Sequence, residues 1–187
     1  NLSTLLIFSN KIQRLEALDN LINLNYLCIS NNKISKIESI DELINLEGLD
    51  ISGNQISKLE GLDNLVNLHK LNIIGNQIIK LEGLDNCKKL TSLEFEWEKV
   101  EFLPNIPYFN NIIHLSLEEK RCLTKLPVGF ENLSNLETLW LNSNKFTEIP
   151  VQIGKLKKLR YLNISDNQIS KLEGLENLTD LQTFNIS

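Results

Sequence analysis

The chain has 187 residues, enough for one ordinary domain with a sizeable core, and its 42% apolar fraction is almost all aliphatic because aromatics are only 6%. A net charge of −5, with lysines spread singly, excludes a global basic field for nucleic acid or an anionic membrane surface. No apolar run approaches the roughly 18 residues that a membrane-spanning helix needs, so no membrane partner is expected.

A leucine phrase recurs from the beginning of the chain to its end, with spacings of 22 to 24 residues. Its fourth and sixth positions are also apolar and alternate with variable residues. This alternation predicts a short strand with one buried face in every repeat. The first position of the phrase is held by Leu2, Leu24, Leu46, Leu68, Leu90, Ile112, Leu136, Leu159 and Leu181.

An asparagine follows most of these predicted strands. An amide side chain has two donors and an acceptor, so a stack of amides can satisfy the backbone groups that the bend after each strand leaves unpaired. One repeat cannot bury its own apolar face, but stacked repeats can. The ladder positions are Asn10, Asn32, Asn54, Asn76, Asn144 and Asn167.

The phrase L-x-x-L-x-L-x-x-N-x-I resembles the leucine-rich-repeat signature over essentially the whole chain. The resemblance implies an α/β repeat solenoid: a leucine-rich-repeat horseshoe with a concave parallel β-sheet and an irregular or short-helical convex side. Residues 1–187 are expected to form a single domain of about eight to nine repeats. Because Leu2 and Phe184 lie in ordinary repeats and the sequence has no Met, one or both polar caps are expected to be missing.

Two repeat subtypes are present. The opening four repeats and the eighth follow a phrase of the kind found at Ile34–Asp41, which resembles the 22-residue subfamily typified by the regulatory subunit of type-1 protein phosphatase. Repeats six and seven carry L-P-x-x-[FI], at Leu126–Phe130 and Ile149–Ile153, and resemble the 23-residue class. Asp residues at positions 19, 41, 63 and 85 are expected to cap a short helical turn in the 22-residue repeats.

The pattern breaks in repeats five and six. Glu98 stands where the ladder asparagine should be, and Lys120 and Arg121 lie near that place in the following repeat. We expect a local irregularity of the solenoid here. The alternative is that ordered water or a substituted side chain fills the gap in the ladder.

The third, fifth and seventh positions of each phrase are expected to face solvent on the concave side, where binding residues would lie. Acidic and aromatic side chains concentrate in these columns in repeats five to eight. An exposed aromatic beside carboxylates favours a basic partner surface, although a polar face with aromatics covering the backbone would look similar. The predicted partner-binding residues are Glu94, Glu96, Trp97, His114, Glu118, Trp140 and Tyr161.

An apolar group forms a second predicted patch toward the N-terminal concave side. It consists of Leu6, Phe8, Tyr26 and Ile74. Two explanations remain open at this point: the group is a second contact surface, or it lies against a preceding repeat.

Catalytic and metal-binding roles are not favoured. Glu94, Glu118 and His114 are acceptable residue types for either role, but an open sheet excludes little water and the predicted register brings up no second histidine or matched cysteine. We therefore predict no catalytic residue, no metal and no cofactor.

These patterns indicate a non-enzymatic protein-binding scaffold that recognises a partner protein on its concave face. The resemblance implies that the partner is a phosphatase or another intracellular enzyme. The alternative is a targeting or sensor domain of a larger multidomain enzyme such as a GTPase or kinase. The sequence does not indicate an oligomeric state.

The cysteines indicate the compartment. Cys28, Cys87 and Cys122 are odd in number and widely spaced, which favours a reduced, cytoplasmic or nuclear setting. An extracellular receptor domain is less favoured because cysteine-rich caps are missing; glycans at Asn132 or Asn177 would support it.

Overall fold

The computed structural model describes residues 2–187, and every repeat contributes one three-residue strand at the third, fourth and fifth positions of the leucine phrase. This placement confirms the predicted strands. The strands are β1 (Thr4–Leu6), β2 (Tyr26–Cys28), β3 (Gly48–Asp50), β4 (Lys70–Asn72), β5 (Ser92–Glu94), β6 (His114–Ser116), β7 (Thr138–Trp140), β8 (Tyr161–Asn163) and β9 (Thr183–Asn185).

The fifth position ends several strands through a local side-chain hydrogen bond. Oδ1 of Asp50 accepts the backbone N–H of Ser52 at 2.9 Å, and Oδ1 of Asn72 accepts that of Ile74 at 3.1 Å. Asn163 and Asn185 make the same bond two residues ahead. Such Asx turns fix the bend that follows these strands, while hydrogen bonds between repeats continue past the strand ends, as from Ile51 N–H to the carbonyl of Asn72 at 3.0 Å.

The strands pair in parallel and in chain order within two sheets, β1 to β5 and β6 to β9. Pairing joins equal positions of successive repeats, as in Leu27↔Leu49 and Leu139↔Leu162, so each position forms a column. The predicted leucine-rich-repeat solenoid is confirmed. The predicted irregularity is confirmed as well, because β5 and β6 belong to different sheets.

The chain divides into two compact units. Unit 1 runs up to Val100 and includes Ile106–Tyr108, and unit 2 comprises Glu101–Asn105 and Phe109–Ser187. The helical elements are α1 (Pro107–Asn110) and two 3-10 helices, Phe130–Asn132 and Ile153–Lys155. Within residues 2–187, no helix combines the length and apolar character that crossing a bilayer requires.

Each unit has an aliphatic core built from the repeated apolar positions. Leu27, Leu49 and Leu71 on neighbouring strands of unit 1 are almost completely buried, and Phe130 and Phe146 are fully buried in unit 2. Burying one such side chain contributes about 1.5–3 kcal/mol. Because each repeat supplies the same positions, the core continues from one repeat to the next.

The predicted asparagine ladder is present. Nδ2 of Asn32 donates to the carbonyl oxygens of Ile29 in its own repeat and of Ile7 in the preceding one, both at 3.0 Å. Its Oδ1 accepts the backbone N–H of Ile12 at 3.1 Å. One side chain therefore ties two successive repeats together, and Asn54, Asn76, Asn144 and Asn167 repeat the arrangement.

The ladder is interrupted between Asn76 and Asn144, where a carboxylate makes a different connection. Gly75 would be expected to donate its N–H to a backbone carbonyl of the next repeat, as Gly53 does to Ile74 at 2.7 Å. Instead, the N–H of Gly75 donates to Oε1 of Glu96 at 3.1 Å. A substituted side chain thus satisfies one backbone group at this edge of unit 1.

The convex side of the 22-residue repeats differs from the sequence prediction. The residues after Asp19, Asp41, Asp63 and Asp85 form turns, so the expected capped helical turn is wrong for these repeats. Backbone N–H groups there donate three residues back, as Leu43 does to Ile40 at 3.0 Å. Within residues 2–187, the two 3-10 helices begin at the last residue of the two L-P-x-x-[FI] phrases, Phe130 and Ile153.

A second column of amides, which the sequence analysis missed, lies on the outer side. Nδ2 of Asn45 donates to the carbonyl of Ile22, and that of Asn67 to the carbonyl of Ile44, both at 2.9 Å. Nζ of Lys89 then donates to Oδ1 of Asn67 at 2.7 Å. The repeated L-x-N-L phrase was the available signal for this column.

The ladder makes a testable prediction. Asn54→Ala removes the donors to Ile29 and Ile51 and the acceptor for the N–H of Ile34, all buried. We expect the free energy of unfolding to fall by about 2–4 kcal/mol, measured by urea denaturation. Asn10→Ala is the control, because Asn10 is exposed and bonds only within its own turn. Equal losses in the two variants would contradict a ladder that links repeats.

The ion pair between Lys155 and Glu131 gives a pH-dependent prediction. Nζ of Lys155 donates to Oε1 of Glu131 at 2.8 Å, and this hydrogen bond, against a smaller opposing effect of burial, lowers the pKa of Glu131. A glutamate whose pKa is lower in the folded than in the unfolded state stabilises the folded state at pH values above the ordinary glutamate pKa. That stabilisation is lost as the pH falls through the folded-state pKa.

Glu131→Gln should therefore reduce the free energy of unfolding near pH 7 by up to about 1 kcal/mol, since the pair is partly exposed. The difference from wild type should disappear in acid, below the folded pKa of Glu131. Urea titrations at several pH values measure it, with Glu60→Gln, in a more exposed pair, as the control. A difference that persists in acid would assign the effect to something other than charge.

Candidate functional site

The concave face is defined here as the side of each sheet that carries the third, fifth and seventh positions. On unit 1, Glu94 is exposed, and its Oε2 accepts a hydrogen bond from Nδ2 of Asn72 at 3.1 Å. Glu96 is half-buried, because its Oε1 also accepts from Nζ of Lys99 at 2.7 Å. Glu94 thus presents its carboxylate to solvent, whereas Glu96 is held in the structure.

Trp97 lies against the core of unit 1. Its ring centroid is 4.6 Å from that of Phe95, and the two planes are tilted by 40°. This geometry falls in the range of favourable aromatic pairs. The indole is half-buried, so part of its surface remains exposed.

On unit 2, an aromatic pair lies on the concave face. Trp140 in β7 and Tyr161 in β8 are 45% and 44% exposed. The hydroxyl of Tyr161 is 3.1 Å from Oε1 of Gln182, to which it donates. The two rings line a groove of about 400 Å³ whose other residues are Thr138, Leu162, Asn163, Thr183 and Asn185.

The other two predicted residues of unit 2 lie on β6 and just after it. His114 is exposed, with its Nδ1 3.0 Å from Oγ1 of Thr138 on the neighbouring strand. Glu118 is half-buried. The seven predicted residues therefore separate into Glu94, Glu96 and Trp97 on unit 1 and the remaining four on unit 2.

The second predicted patch is exposed throughout, but its members do not form one cluster. Leu6 and Phe8 lie on β1 and directly after it, whereas Ile74 follows β4. The ring of Tyr26 in β2 lies over Gly48 of β3, where a Cβ on the glycine would come within 2.5 Å of it. The edge of the Tyr26 ring thus lies against Gly48, in space that a larger residue there would fill.

Four concave positions, Cys28, Ser30, Gly48 and Ser165, are buried and differ from the prediction that this face is open to solvent. Cys28 and Ser30 are buried, because their side chains contact each other, with Sγ 3.3 Å from Oγ. The thiol also donates to Oδ2 of Asp50 at 3.6 Å. Small side chains in these columns can turn along the sheet and be covered by their neighbours.

Asp50 is not among the site residues predicted from the sequence. The structure places it in a groove of about 210 Å³ on unit 1, and the available signal was its acidic side chain in the fifth column. The polar side chains and the aromatic ring of this groove belong to Tyr26, Asp50, Lys70, Asn72, Ser92 and Glu94.

The phenol of Tyr26 reports the electrostatics of this groove. Partial burial raises the pKa of Tyr26, and the nearby Cys28, Asp50 and Glu94 raise it further. Neighbours that carry or can acquire negative charge disfavour a tyrosinate. The face of unit 1 around Tyr26 is therefore electronegative.

Metal ligands do not converge on either face. Across the part of the chain that the structure describes, no group of three His, Cys, Asp or Glu side chains could hold a metal ion. Cys87 is buried, which raises the pKa of its thiol to about 11 and keeps it protonated at neutral pH. The geometry is suited to binding by contact, through aromatic rings, amides and carboxylates.

Gly48 is expected to determine the position of the Tyr26 ring. Gly48→Ala should displace the ring while lowering the free energy of unfolding by less than about 1 kcal/mol, because an exposed side chain can rotate away. Changed ring-proton shifts of Tyr26 in NMR spectra would show the displacement. Gly83→Ala is the contrast, because Gly83 has a φ of +88° and an added Cβ would meet the carbonyl oxygen of Leu59. Unchanged Tyr26 shifts in Gly48→Ala would contradict the proposed packing.

Two protein-family models match the chain. The model described as "Leucine Rich repeats (2 copies)" matches residues 44–86. The model described as "Leucine rich repeat" matches residues 110–169 and 134–187. The repeats are therefore leucine-rich repeats, and the chain belongs to the leucine-rich-repeat proteins.

Curated relatives match over part of the chain. The probable serine/threonine-protein kinase roco9 of Dictyostelium discoideum is 40% identical over 62 residues, which is 33% of this chain and 2% of the kinase. Leucine-rich repeats and immunoglobulin-like domains protein 2 of Mus musculus is 40% identical over 84 residues, 42% of this chain and 8% of that protein. The chain thus spans less than a tenth of each of these relatives.

Solved structures share the fold over the full length. A leucine-rich-repeat protein of Leptospira interrogans superposes with a TM-score of 0.64 at 26% identity, covering 100% of this chain and 55% of that one. An internalin (inlF) of Listeria monocytogenes gives a TM-score of 0.55 at 22% identity, covering 98% of this chain and 66% of that one.

Proposed function

We propose that this leucine-rich-repeat chain is a non-enzymatic scaffold that recognises a partner protein on its concave face. Leucine-rich-repeat domains serve as protein-binding scaffolds, and the family matches here cover residues 44–86 in unit 1 and 110–187 in unit 2. A sheet face held by backbone pairing and side-chain ladders is already ordered before a partner arrives. Binding to such a face therefore costs little conformational entropy.

One observation carries the proposal: Trp140 and Tyr161 are large, nearly half exposed and adjacent, and they line a groove on the concave face of unit 2. Trp and Tyr are the residue types most enriched among interface hot spots. Their strands are fixed by pairing with β6 and β9, so a partner side chain would meet a preformed surface.

The distribution of ion pairs supports the same face. Lys58 forms an ion pair with Glu60, and Lys80 forms one with Glu82, both outside the strands. Among residues 2–187, the ion pairs within 4 Å include neither Glu94 nor Glu118. Glu94 and Glu118 thus keep their charge available to a partner, whereas Glu96 is paired with Lys99.

For the partner, we propose a phosphatase or another intracellular enzyme in the cytoplasm or nucleus. The support is the resemblance of the 22-residue repeats to the phosphatase regulatory subunit, together with three free cysteines. The alternative, a targeting or sensor domain of a larger multidomain enzyme such as a GTPase or kinase, is supported by the 40% identity to part of a probable kinase.

Trp140→Ala combined with Tyr161→Ala tests the proposal. The immobilised wild-type chain is used to capture partners from source-cell lysate, the captured protein is identified by mass spectrometry, and its Kd is measured with purified components. We expect the double variant to weaken binding by at least about thirtyfold, the effect of losing one hot spot of about 2 kcal/mol.

The control is Val151→Ala, an exposed apolar residue of unit 2 outside the strands. Both variants should retain the circular dichroism spectrum of the wild type. If the aromatic variant binds the partner as tightly as the wild type, the concave face of unit 2 is not the site. Loss of binding confined to a Leu6→Ala, Phe8→Ala variant would move the site to the second predicted patch.

A further inference from the structure

The concave face of unit 1 carries two carboxylates that are oriented but not neutralised. Oδ1 of Asp50 accepts from the hydroxyl of Ser52 at 2.6 Å as well as from its N–H, and Oδ2 accepts from the Cys28 thiol. Glu94 accepts from the amide of Asn72. Among residues 2–187, neither carboxylate has a Lys, Arg or His nitrogen within 4 Å. Neutral donors therefore fix their positions and leave their charge in place.

An aromatic face completes the same groove. The Cδ2–Cε2 edge of the Tyr26 ring occupies the space next to Gly48, and the residue remains 37% exposed, so part of the ring is accessible to a ligand. Asp50 lies on the strand next to Tyr26, and Glu94 lies two strands further along. The groove thus carries a π surface and two anionic groups on the neighbouring strands β2 to β5.

The balance of charge in the groove is negative. Lys70 is the cation in its lining, so two carboxylates and one ammonium leave a formal charge of −1. The raised pKa of Tyr26 is consistent with this field. A partner that docks here is therefore expected to be basic.

We propose that this groove receives an arginine side chain of the protein partner. The guanidinium group is planar, stacks on aromatic rings and can donate to carboxylates on more than one side. A single metal ion fits less well, because the backbones of β3 and β5 lie two strand spacings, about 10 Å, apart with Asn72 between them. The inference rests on the proposed function, since it assigns one subsite of the concave face.

The chain itself provides a conservative variant. Asn72, Asn163 and Asn185 occupy the fifth position in other strands and make the same turn hydrogen bond that Asp50 makes. Asp50→Asn therefore removes the charge while the turn can persist. Glu94→Gln likewise keeps the acceptor for Asn72.

The experiment is an NMR titration of the ¹⁵N-labelled chain with the blocked tripeptide Gly-Arg-Gly. Matched peptides carry citrulline or lysine in place of arginine. The side-chain amide of Asn72 is the main reporter because it already contacts Glu94. We expect its signals to shift with the arginine peptide, and both matched peptides to bind at least about fivefold more weakly, since one lacks the charge and the other the planar fork.

The combined Asp50→Asn, Glu94→Gln variant should weaken arginine-peptide binding by at least about tenfold. Lys70→Ala should strengthen it severalfold, because a like charge is removed. Glu82→Gln, whose carboxylate is paired with Lys80, is the matched control and should bind as the wild type does. Equal binding of the citrulline or lysine peptide, or unchanged binding by the double variant, would overturn the assignment.

The two proposals can fail separately. If the arginine peptide does not shift the Asn72 signals while Trp140→Ala, Tyr161→Ala still loses the captured partner, the scaffold function stands and the arginine groove is rejected. If the peptide binds the groove but the aromatic variant keeps its partner, the arginine groove stands and the unit 2 site is rejected.

Discussion

The structure depends on the side-chain amide that follows most strands. Asn32, Asn54 and Asn76 in unit 1 each donate to carbonyls of two successive repeats and accept a backbone N–H from the preceding one. Without that group, the tight bend would bury backbone polar groups with no partner, at a cost of about 1–3 kcal/mol each. The amide allows the chain to turn sharply after three strand residues, and the turn brings the next leucine phrase into register.

This arrangement separates the residues that build the molecule from those that can bind. The apolar positions and the ladder amides recur with little freedom, because each must fit the repeat on either side. The residue type is less restricted at the third, fifth and seventh positions. Trp140 and Tyr161 on unit 2, or Tyr26 and Asp50 on unit 1, can therefore vary without disturbing the core. Binding surfaces on such a scaffold are therefore assembled from residues about 22 positions apart in sequence.

Local, repeated features could be predicted from the sequence, and single departures from the repeat could not. The repeat period and the apolar alternation were enough to predict the strands, the columns and the ladder. Each of these features arises from contacts between equivalent positions of neighbouring repeats. The role of Glu96 depends on where its carboxylate meets the N–H of Gly75, which no residue pattern encodes. The burial of Cys28 and the assignment of the predicted binding residues to two units likewise depend on particular side chains and on the irregular segment after Val100.

The turn at the fifth position has an evolutionary consequence. Asp50 and Asn72 fill the same structural role on adjacent strands, although one is charged and the other is neutral. Asparagine and aspartate codons differ by one nucleotide. A repeat array built this way can change the charge of its exposed face one strand at a time, while the backbone that presents it stays the same. Substitutions that favour a new partner can then arise with little effect on the fold.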